Sequence, residues 1–275
     1  MRKLNVVITG ASDGIGLAAA KRLTELGHSV VIVGRSPEKT KKAAEGLGVP
    51  YHIADYSRLS DVVRLANELK NYDRIDVLCN NAGGLQGERT LTEDGNEKTF
   101  QINVLGEFLL TRLLMDKLAE SKAKIIQTAS IAANLFGADL KGDDFQNEKD
   151  YSPFKAYGYA KLENILFTRE LDARYKDKGV CAVAFEPGVV RTNFASESKG
   201  FVRFCYHSPL KYIFTVSPRK SAERMVWLAL GEPDKDFKRG EVYSKKKIMR
   251  LKFNDSDGIS GRLWTYCEQV LQNLL

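Results

Sequence analysis

A glycine-rich turn between a buried strand and a helix constrains this chain more than any other stretch. Leu4–Thr9 is a short, apolar, β-branched run of the kind that forms a buried strand. It leads into Thr9-Gly10-Ala11-Ser12-Asp13-Gly14-Ile15-Gly16 and then a helical pattern to Leu26. Gly27 stops that helix, and Ser29–Val33 reads as a second buried strand. Strand, glycine-rich turn, helix and strand make a βαβ unit. The glycines permit the tight turn and let backbone N–H groups at the helix N-terminus approach a pyrophosphate. Gly10, Ser12, Asp13, Gly14, Ile15 and Gly16 are therefore candidate dinucleotide ligands.

The alternation continues through most of the chain. Pro37–Leu47, 60–71 and 221–230 carry helical patterns, the second with Ser60 as its cap. Long amphipathic patterns cover 96–119 and the helix that bears Tyr157 and ends near Tyr175. Tyr51–Ala54, Ile75–Cys79, Lys124–Thr128, Val180–Glu186 and Glu241–Tyr243 read as further strands, and 134–150 as a polar loop. This order predicts an α/β, doubly wound (Rossmann) architecture: one domain over residues 1–275, with seven parallel strands and helices on both faces. A chain of 275 residues, 43% hydrophobic, is large enough to bury such a core.

Tyr157 and Lys161 are four apart on a helix, so they share one face, one turn from each other. An ammonium beside a phenol favours the phenolate, which makes Tyr157 a candidate general acid/base. Gly34-Arg35-Ser36 follows the second strand, where an NAD site normally has a carboxylate for the ribose hydroxyls. A guanidinium there, with Lys39 nearby, suits a 2′-phosphate and points to NADP(H). The alternative is that Arg35 is a surface residue opening the next helix. Asp55 either caps a strand end or accepts from an adenine amine. Asn103 falls inside a helical pattern, an unfavourable place unless its amide has partners.

Charge narrows the function classes. The net charge is +7, and residues 238–252 hold seven Lys/Arg and one Glu, so that segment supplies nearly all of it. No broad basic face remains, which argues against nucleic acid as a partner. The segment itself is a solvated surface or a contact for an anionic one, a membrane included. The four cysteines and three histidines are scattered, with no C-x-x-C and no metal-ligand spacing. No apolar run reaches ~18 residues and no signal peptide is visible, so a cytoplasmic protein without a transmembrane segment is expected.

Taken in order, these residues resemble the short-chain dehydrogenase/reductase family. The motifs are Thr9-Gly10-x3-Gly14-x-Gly16, Asp55, Asn80-Asn81-Ala82-Gly83, Asn103, Ser130, Tyr157-x3-Lys161 and Pro187-Gly188 with Thr192. A narrower likeness, to the retinol-dehydrogenase and protochlorophyllide-reductase branch, rests on Gly34-Arg35, Asp143-Asp144-Phe145 and the run from Ala156 to Leu171. The resemblance implies an NADP(H)-dependent enzyme acting on a carbonyl or alcohol. It implies Tyr157 as proton donor and acceptor, Lys161 on the nicotinamide ribose, and Ser130 on the carbonyl oxygen. It places Asn103 in a water-mediated proton relay to Lys161. It puts Asn81, Ala82 and Gly83 on the adenosine side, and Pro187, Gly188, Val190 and Thr192 at the nicotinamide end. It also implies a homo-oligomer, most simply a dimer through the helices at 96–119 and 157–175.

In that family residues 193–220 form the substrate lid. Here the stretch contains Phe201, Phe204, Tyr206, Tyr212 and Phe214 among basic residues. That composition fits a bulky apolar substrate, an aromatic satellite core or a membrane-surface patch. Three rival classes use related folds: a cofactor-binding regulator, a nucleotide-sugar epimerase or dehydratase, and a reductase of a ring double bond. The presence of Ser130, Tyr157 and Lys161 together favours the enzyme over the regulator.

Overall fold

The computed structural model describes residues 2–188 and 216–275. Its strands are β1 (Asn5–Ile8), β2 (Ser29–Gly34), β3 (Tyr51–Ile53), β4 (Val77–Asn80), β5 (Lys124–Thr128), β6 (Cys181–Glu186), β7 (Val242–Ser244) and β8 (Lys247–Ile248). They form one sheet in the order β3-β2-β1-β4-β5-β6-β7-β8. β1 to β7 are parallel throughout, and β8 runs antiparallel to β7.

The eighth strand corrects the expected count of seven. Tyr243 pairs with Ile248 and Ser244 with Lys247, leaving a two-residue turn at Lys245 and Lys246. Lys245 takes a positive φ of 58° there, in place of the glycine or asparagine such hairpins usually carry. Three consecutive lysines read as solvated charge, which hides the hairpin in the sequence. On an edge strand the same lysines discourage pairing with another chain.

Strands buried on both faces explain the continuous β-branched runs. Val7, Val33, Leu78, Ile125 and Ala182 face one core, whereas Val6, Ile8, Ile32, Ile126 and Val183 face the other. α1 (Gly14–Glu25), α2 (Pro37–Leu47) and α9 (Pro218–Leu230) cover the second face through Leu23, Ala44 and Met225. The first is covered by α3 (Leu59–Lys70), α5 (Gly106–Leu113) and α8 (Pro153–Tyr175), through Leu65, Phe108 and Ile165. Among the described residues no helix is long and apolar enough to cross a membrane.

Three helical details differ from the sequence expectation. Ser60 lies inside α3; the cap position is Arg58, and the Leu59 amide instead donates to Asp94 Oδ2 at 2.9 Å. The long pattern at 96–119 is not one helix. It opens with α4 (Lys98–Phe100), passes through a π-helical turn at Gln101–Leu105, continues as α5 and breaks at Leu114 before α6 (Met115–Glu120). The buried Glu97 carboxylate caps its start, accepting from the amides of Thr99 and Phe100, each at 2.8 Å. Finally, α10 (Ile259–Val270) follows the sheet and was not foreseen. Its Ile259, Leu263, Trp264 and Cys267 share one buried face, and the Trp264 ring packs on Phe108 of α5 (5.0 Å) and Phe167 of α8 (5.8 Å).

The sheet order reverses direction at β1, which lies between β2 and β4. In open α/β sheets the crevice outside the carboxyl ends of such neighbouring strands is where ligands bind. Here the residues at that point are Thr9-Gly10 after β1 and Asn81-Ala82-Gly83 after β4.

Candidate active site

A cavity of about 590 Å³ opens along the carboxyl ends of the strands. That is within the range of small-molecule and cofactor sites. One end is lined by Arg35, Ser36, Lys39, Asp55 and Tyr56, the middle by Gly10, Ser12, Asp13, Gly14 and Ile15 with Asn81, Ala82 and Gly83, and the other end by Ser130, Tyr157, Lys161, Pro187 and Gly188. Gly16 and Asn103 are not on the cavity surface; both stand directly behind it. Val190 and Thr192 lie outside the described residues, as does 193–215 of the expected lid.

The cradle is held by hydrogen bonds across β1 and β4. Thr9 Oγ1 accepts from the amides of Asn81 (2.9 Å) and Ala82 (3.0 Å), and Asn81 Nδ2 donates to the Thr9 carbonyl at 2.9 Å. Gly10 has a φ of 63°, and a Cβ on it would lie 2.8 Å from the Ala82 Cα, so no other residue lets the two turns close this tightly. α1 begins at Gly14, with Asp13 Oδ1 accepting from the Gly14 amide at 2.7 Å. Ser36 caps α2, so the N-terminus of that helix also borders the cavity, beside the exposed Arg35. Both helix ends favour anionic ligands.

The opposite end is assembled from four segments distant in sequence. Asn103 sits in the π-helical turn and is fully buried. Its Nδ2 donates to the carbonyls of Gly84 (3.0 Å) and Thr99 (2.9 Å), and its Oδ1 accepts from the Gly84 amide at 2.9 Å. These are the partners that an asparagine inside a helix requires. Gly83 has a φ of 151°, and a Cβ there would meet Asn103 Oδ1 at 2.5 Å and Lys161 Nζ at 3.4 Å. Lys161 Nζ donates to the Thr128 carbonyl at the end of β5 (3.1 Å) and lies 5.7 Å from the centre of the Tyr157 ring. Ser130, two residues beyond β5, accepts from the Ala132 amide at 3.2 Å and so fixes the start of α7 (Ala132–Leu135). Tyr159, two positions from Tyr157, is not on the cavity; Lys155 lies over its ring instead, at 5.5 Å.

Electrostatics at this end depend on burial. Burial lowers the pKa of the Lys161 ammonium, and the Glu107 carboxyl acts in the opposite direction. Burial pushes Glu107 up to about 8, with Lys161 and then Asn164 pulling it back. Glu107 escaped the sequence reading because a single Glu inside Val104-Leu105-Gly106-Glu107-Phe108-Leu109 reads as a solvated position on an amphipathic helix. The apolar wall was also missed. Leu135, Phe136 and Phe154 line the cavity beside Tyr157, with the two phenyl rings 5.5 Å apart. Glu186 and Arg224 are a further addition. They form a buried ion pair (3.3 Å) under the Pro187-Gly188 turn, and Ser221 Oγ donates to the Pro187 carbonyl at 2.6 Å.

Comparison with known proteins gives consistent matches. The family model described as short chain dehydrogenase matches residues 4–141. A protein of Streptomyces sp. (strain C5), named as a daunorubicin C-13 ketoreductase, is 36% identical over 270 residues, covering 94% of this chain and 89% of that one. Retinol dehydrogenase 13 of Homo sapiens is 32% identical over 274 residues, covering 94% of this chain and 82% of its own length. Among solved structures, an uncharacterized protein from Mycobacterium paratuberculosis superposes with a TM-score of 0.77 at 27% identity, covering 98% of this chain and 93% of that one.

The state of Glu107 has a thermodynamic consequence. Its pKa rises from an ordinary 4.5 to about 8 in the folded protein. Between those values the native state holds a proton that the unfolded chain has released, so stability falls as pH rises through that window. The slope is up to roughly 1.4 kcal/mol per pH unit for one carboxyl. Glu163, also buried and shifted upward by burial, acts in the same direction. Urea unfolding at about pH 5.5 and about pH 7.5 is expected to show the protein weaker at the higher pH, with the difference reduced in Glu107→Gln. Equal stability at the two pH values would contradict this.

Proposed function

The chain belongs to the short-chain dehydrogenase family, and we propose that it is an NADP(H)-dependent oxidoreductase that moves a hydride between the nicotinamide and a carbonyl or alcohol carbon of a bulky apolar substrate. One observation carries this reading: Ser130, Tyr157 and Lys161 face the same cavity as the glycine-rich cradle. A regulator that only bound a dinucleotide has no use for that convergence.

The residues present fit the cofactor. The tight Gly10 turn and the N-terminus of α1 suit the pyrophosphate, and Asp55 borders the end where an adenine would lie. Arg35, with Ser36 and Lys39 at the same rim, suits a 2′-phosphate. Bound there, the cofactor supplies or accepts the hydride. The protein supplies the proton, the position and the field. Tyr157 gives its phenolic proton to the substrate oxygen in reduction and takes it back in oxidation. The Lys161 ammonium favours the phenolate and bonds the nicotinamide ribose. Ser130 donates to the substrate oxygen as negative charge develops on it. Asn103 fixes the π-helical turn against Gly84, so that water can connect Lys161 to the exterior.

Leu135, Phe136 and Phe154 supply an apolar wall to the substrate end. Relatives named for a daunorubicin ketone and for retinol support carbonyl/alcohol chemistry. We take residues 1–275 as one domain; of the expected lid, 193–215 lies outside the described residues and Pro218 onward opens α9. The expected dimer through the helices at 96–119 and 157–175 is disfavoured by α10, because Trp264 occupies the faces of Phe108 and Phe167 on those helices. Light scattering is expected to give a particle near the single-chain mass of 30.8 kDa. Twice that mass across micromolar concentrations would restore the dimer.

Cofactor choice follows from Arg35. NADPH is expected to bind more tightly than NADH by at least ~1.4 kcal/mol, one tenfold step. Arg35→Asp should erase or reverse that preference in a fluorescence titration, and equal affinities in the unmutated protein would sink the idea. The proton donor is tested by consumption of NADPH against a panel of ketones, aldehydes and retinal. With any accepted substrate, Tyr157→Phe should lower turnover by at least ~10²-fold while cofactor affinity barely changes, and Ser130→Ala should cost a similar factor. Tyr159→Phe, off the cavity, should be mild. Near-normal turnover in Tyr157→Phe would rule out the mechanism.

A further inference from the structure

One turn along α8 from Lys161, the apolar core is interrupted by a layer of polar side chains. Asn80 and Gln127 are register partners on β4 and β5. They point toward α5 and α8, because Leu78 and Ile125, two positions back on each strand, belong to the core on that face. Glu107 and Thr111 enter the layer from α5, four residues apart, and Lys161 and Asn164 from α8, three apart. All six are buried.

Few of their polar atoms are paired within the layer. Asn80 Nδ2 donates to Thr111 Oγ1 at 2.9 Å, and Thr111 Oγ1 donates to the Glu107 carbonyl at 2.7 Å. Among the described residues, Asn80 Oδ1, both side-chain polar atoms of Gln127 and of Asn164, and both carboxyl oxygens of Glu107 have no partner of ordinary hydrogen-bond geometry. Folded proteins do not leave so many buried polar atoms in one place unmet; they meet one another through small shifts or hold ordered water. An apolar layer would serve packing better, so the polar one has another use.

Glu107 follows Asn103 by four residues, and Asn103 Oδ1 and Lys161 Nζ converge on Gly83, 2.5 Å and 3.4 Å from where its Cβ would be. Among the described residues the charges that act on Glu107 and Tyr56 are consistent with that placement, Lys161 on Glu107 and Glu107 on Tyr56. The sheet contributes the neutral Asn80 and Gln127. Beyond Lys161 on the cavity side stands Tyr157. A buried ammonium with no counter-charge gives up its proton readily, whereas a carboxylate beside it holds the proton on.

We propose that Glu107 is the counter-charge that keeps Lys161 protonated at alkaline pH, a positioning residue that acts across this polar layer and touches neither substrate nor cofactor. The proposal rests on the reading of Lys161 as a cofactor ligand. Glu107 ionises only as pH rises to about 8, so its charge is present on the alkaline side, where a buried lysine needs a counter-charge to keep its proton. Glu107→Gln keeps the size and the hydrogen-bonding capacity and removes the charge.

The test is the pH dependence of NADPH binding, followed by fluorescence from about pH 7 to about pH 10. In the unmutated protein, binding is expected to weaken only at the upper end, where Lys161 loses its proton. In Glu107→Gln that alkaline limb should move down by at least about one pH unit, a tenfold change in the protonated fraction of Lys161. Glu107→Asp keeps the charge, and its limb should stay at the unmutated position. A merely structural role would weaken binding by the same factor at every pH. Two results overturn the proposal alone: a Glu107→Gln limb at the unmutated position, or a Glu107→Asp limb displaced to lower pH. Lys161→Met separates this from the parent reading. Loss of the limb in Lys161→Met shows that the lysine titrates; a limb retained in that variant overturns both the lysine's role and the Glu107 proposal.

Discussion

Lys161 stays buried beside Tyr157 because Gly83 has no side chain. A single methyl group at that position would meet the Asn103 amide and crowd the lysine ammonium. The backbone after β4, the π-helical turn before α5 and the middle of α8 therefore share one small volume. Each of the three is fixed for its own reason. Asn81 and Ala82 are tied to Thr9, Asn103 is tied to Gly84 and Thr99, and Lys161 is tied to the end of β5. The glycine-rich cradle and the end that holds Tyr157 and Lys161 are consequently one mechanical unit. A shift of Gly83 would disturb the turn tied to Thr9 and the lysine together.

That unit was legible in the sequence to an uneven degree. The parallel strands were visible because burial on both faces demands uninterrupted β-branched runs, as in Val30-Val31-Ile32-Val33. The cradle was visible because only glycine permits such close backbone approach. Asn103 stood out because an asparagine inside a helix requires partners. β8 was hidden because a hairpin turn of lysines looks like solvent-exposed charge. Ser60 looked like a cap because cap preference is local, whereas the first amide of α3 is met by Asp94, far along the chain. The π-helical turn has no compositional signature. Glu107 was invisible because its burial comes from tertiary packing that periodicity does not encode.

Burial organises the chemistry as well as the fold. The deep position of Lys161 makes its charge sensitive to a neighbouring carboxyl, and an exposed lysine would not respond in this way. In the proposed reading, specificity is set at the edges of the cavity. Arg35 and the α2 N-terminus stand at one end, and Leu135, Phe136 and Phe154 stand at the other. The two ends are built from different segments of the chain, so on that reading cofactor choice and substrate choice can vary independently, while the Gly83 junction is held by packing.

In the proposed reaction a hydride leaves a cofactor held in this cavity and arrives on a substrate carbon. The most direct measurement uses NADPH carrying deuterium at the transferable position of its nicotinamide, with an accepted ketone or aldehyde and mass analysis of the product. Direct transfer puts one deuterium on the former carbonyl carbon for each cofactor oxidised. A cofactor that binds but is never oxidised against any carbonyl, or a product that acquires its new hydrogen from solvent at that carbon, would contradict it.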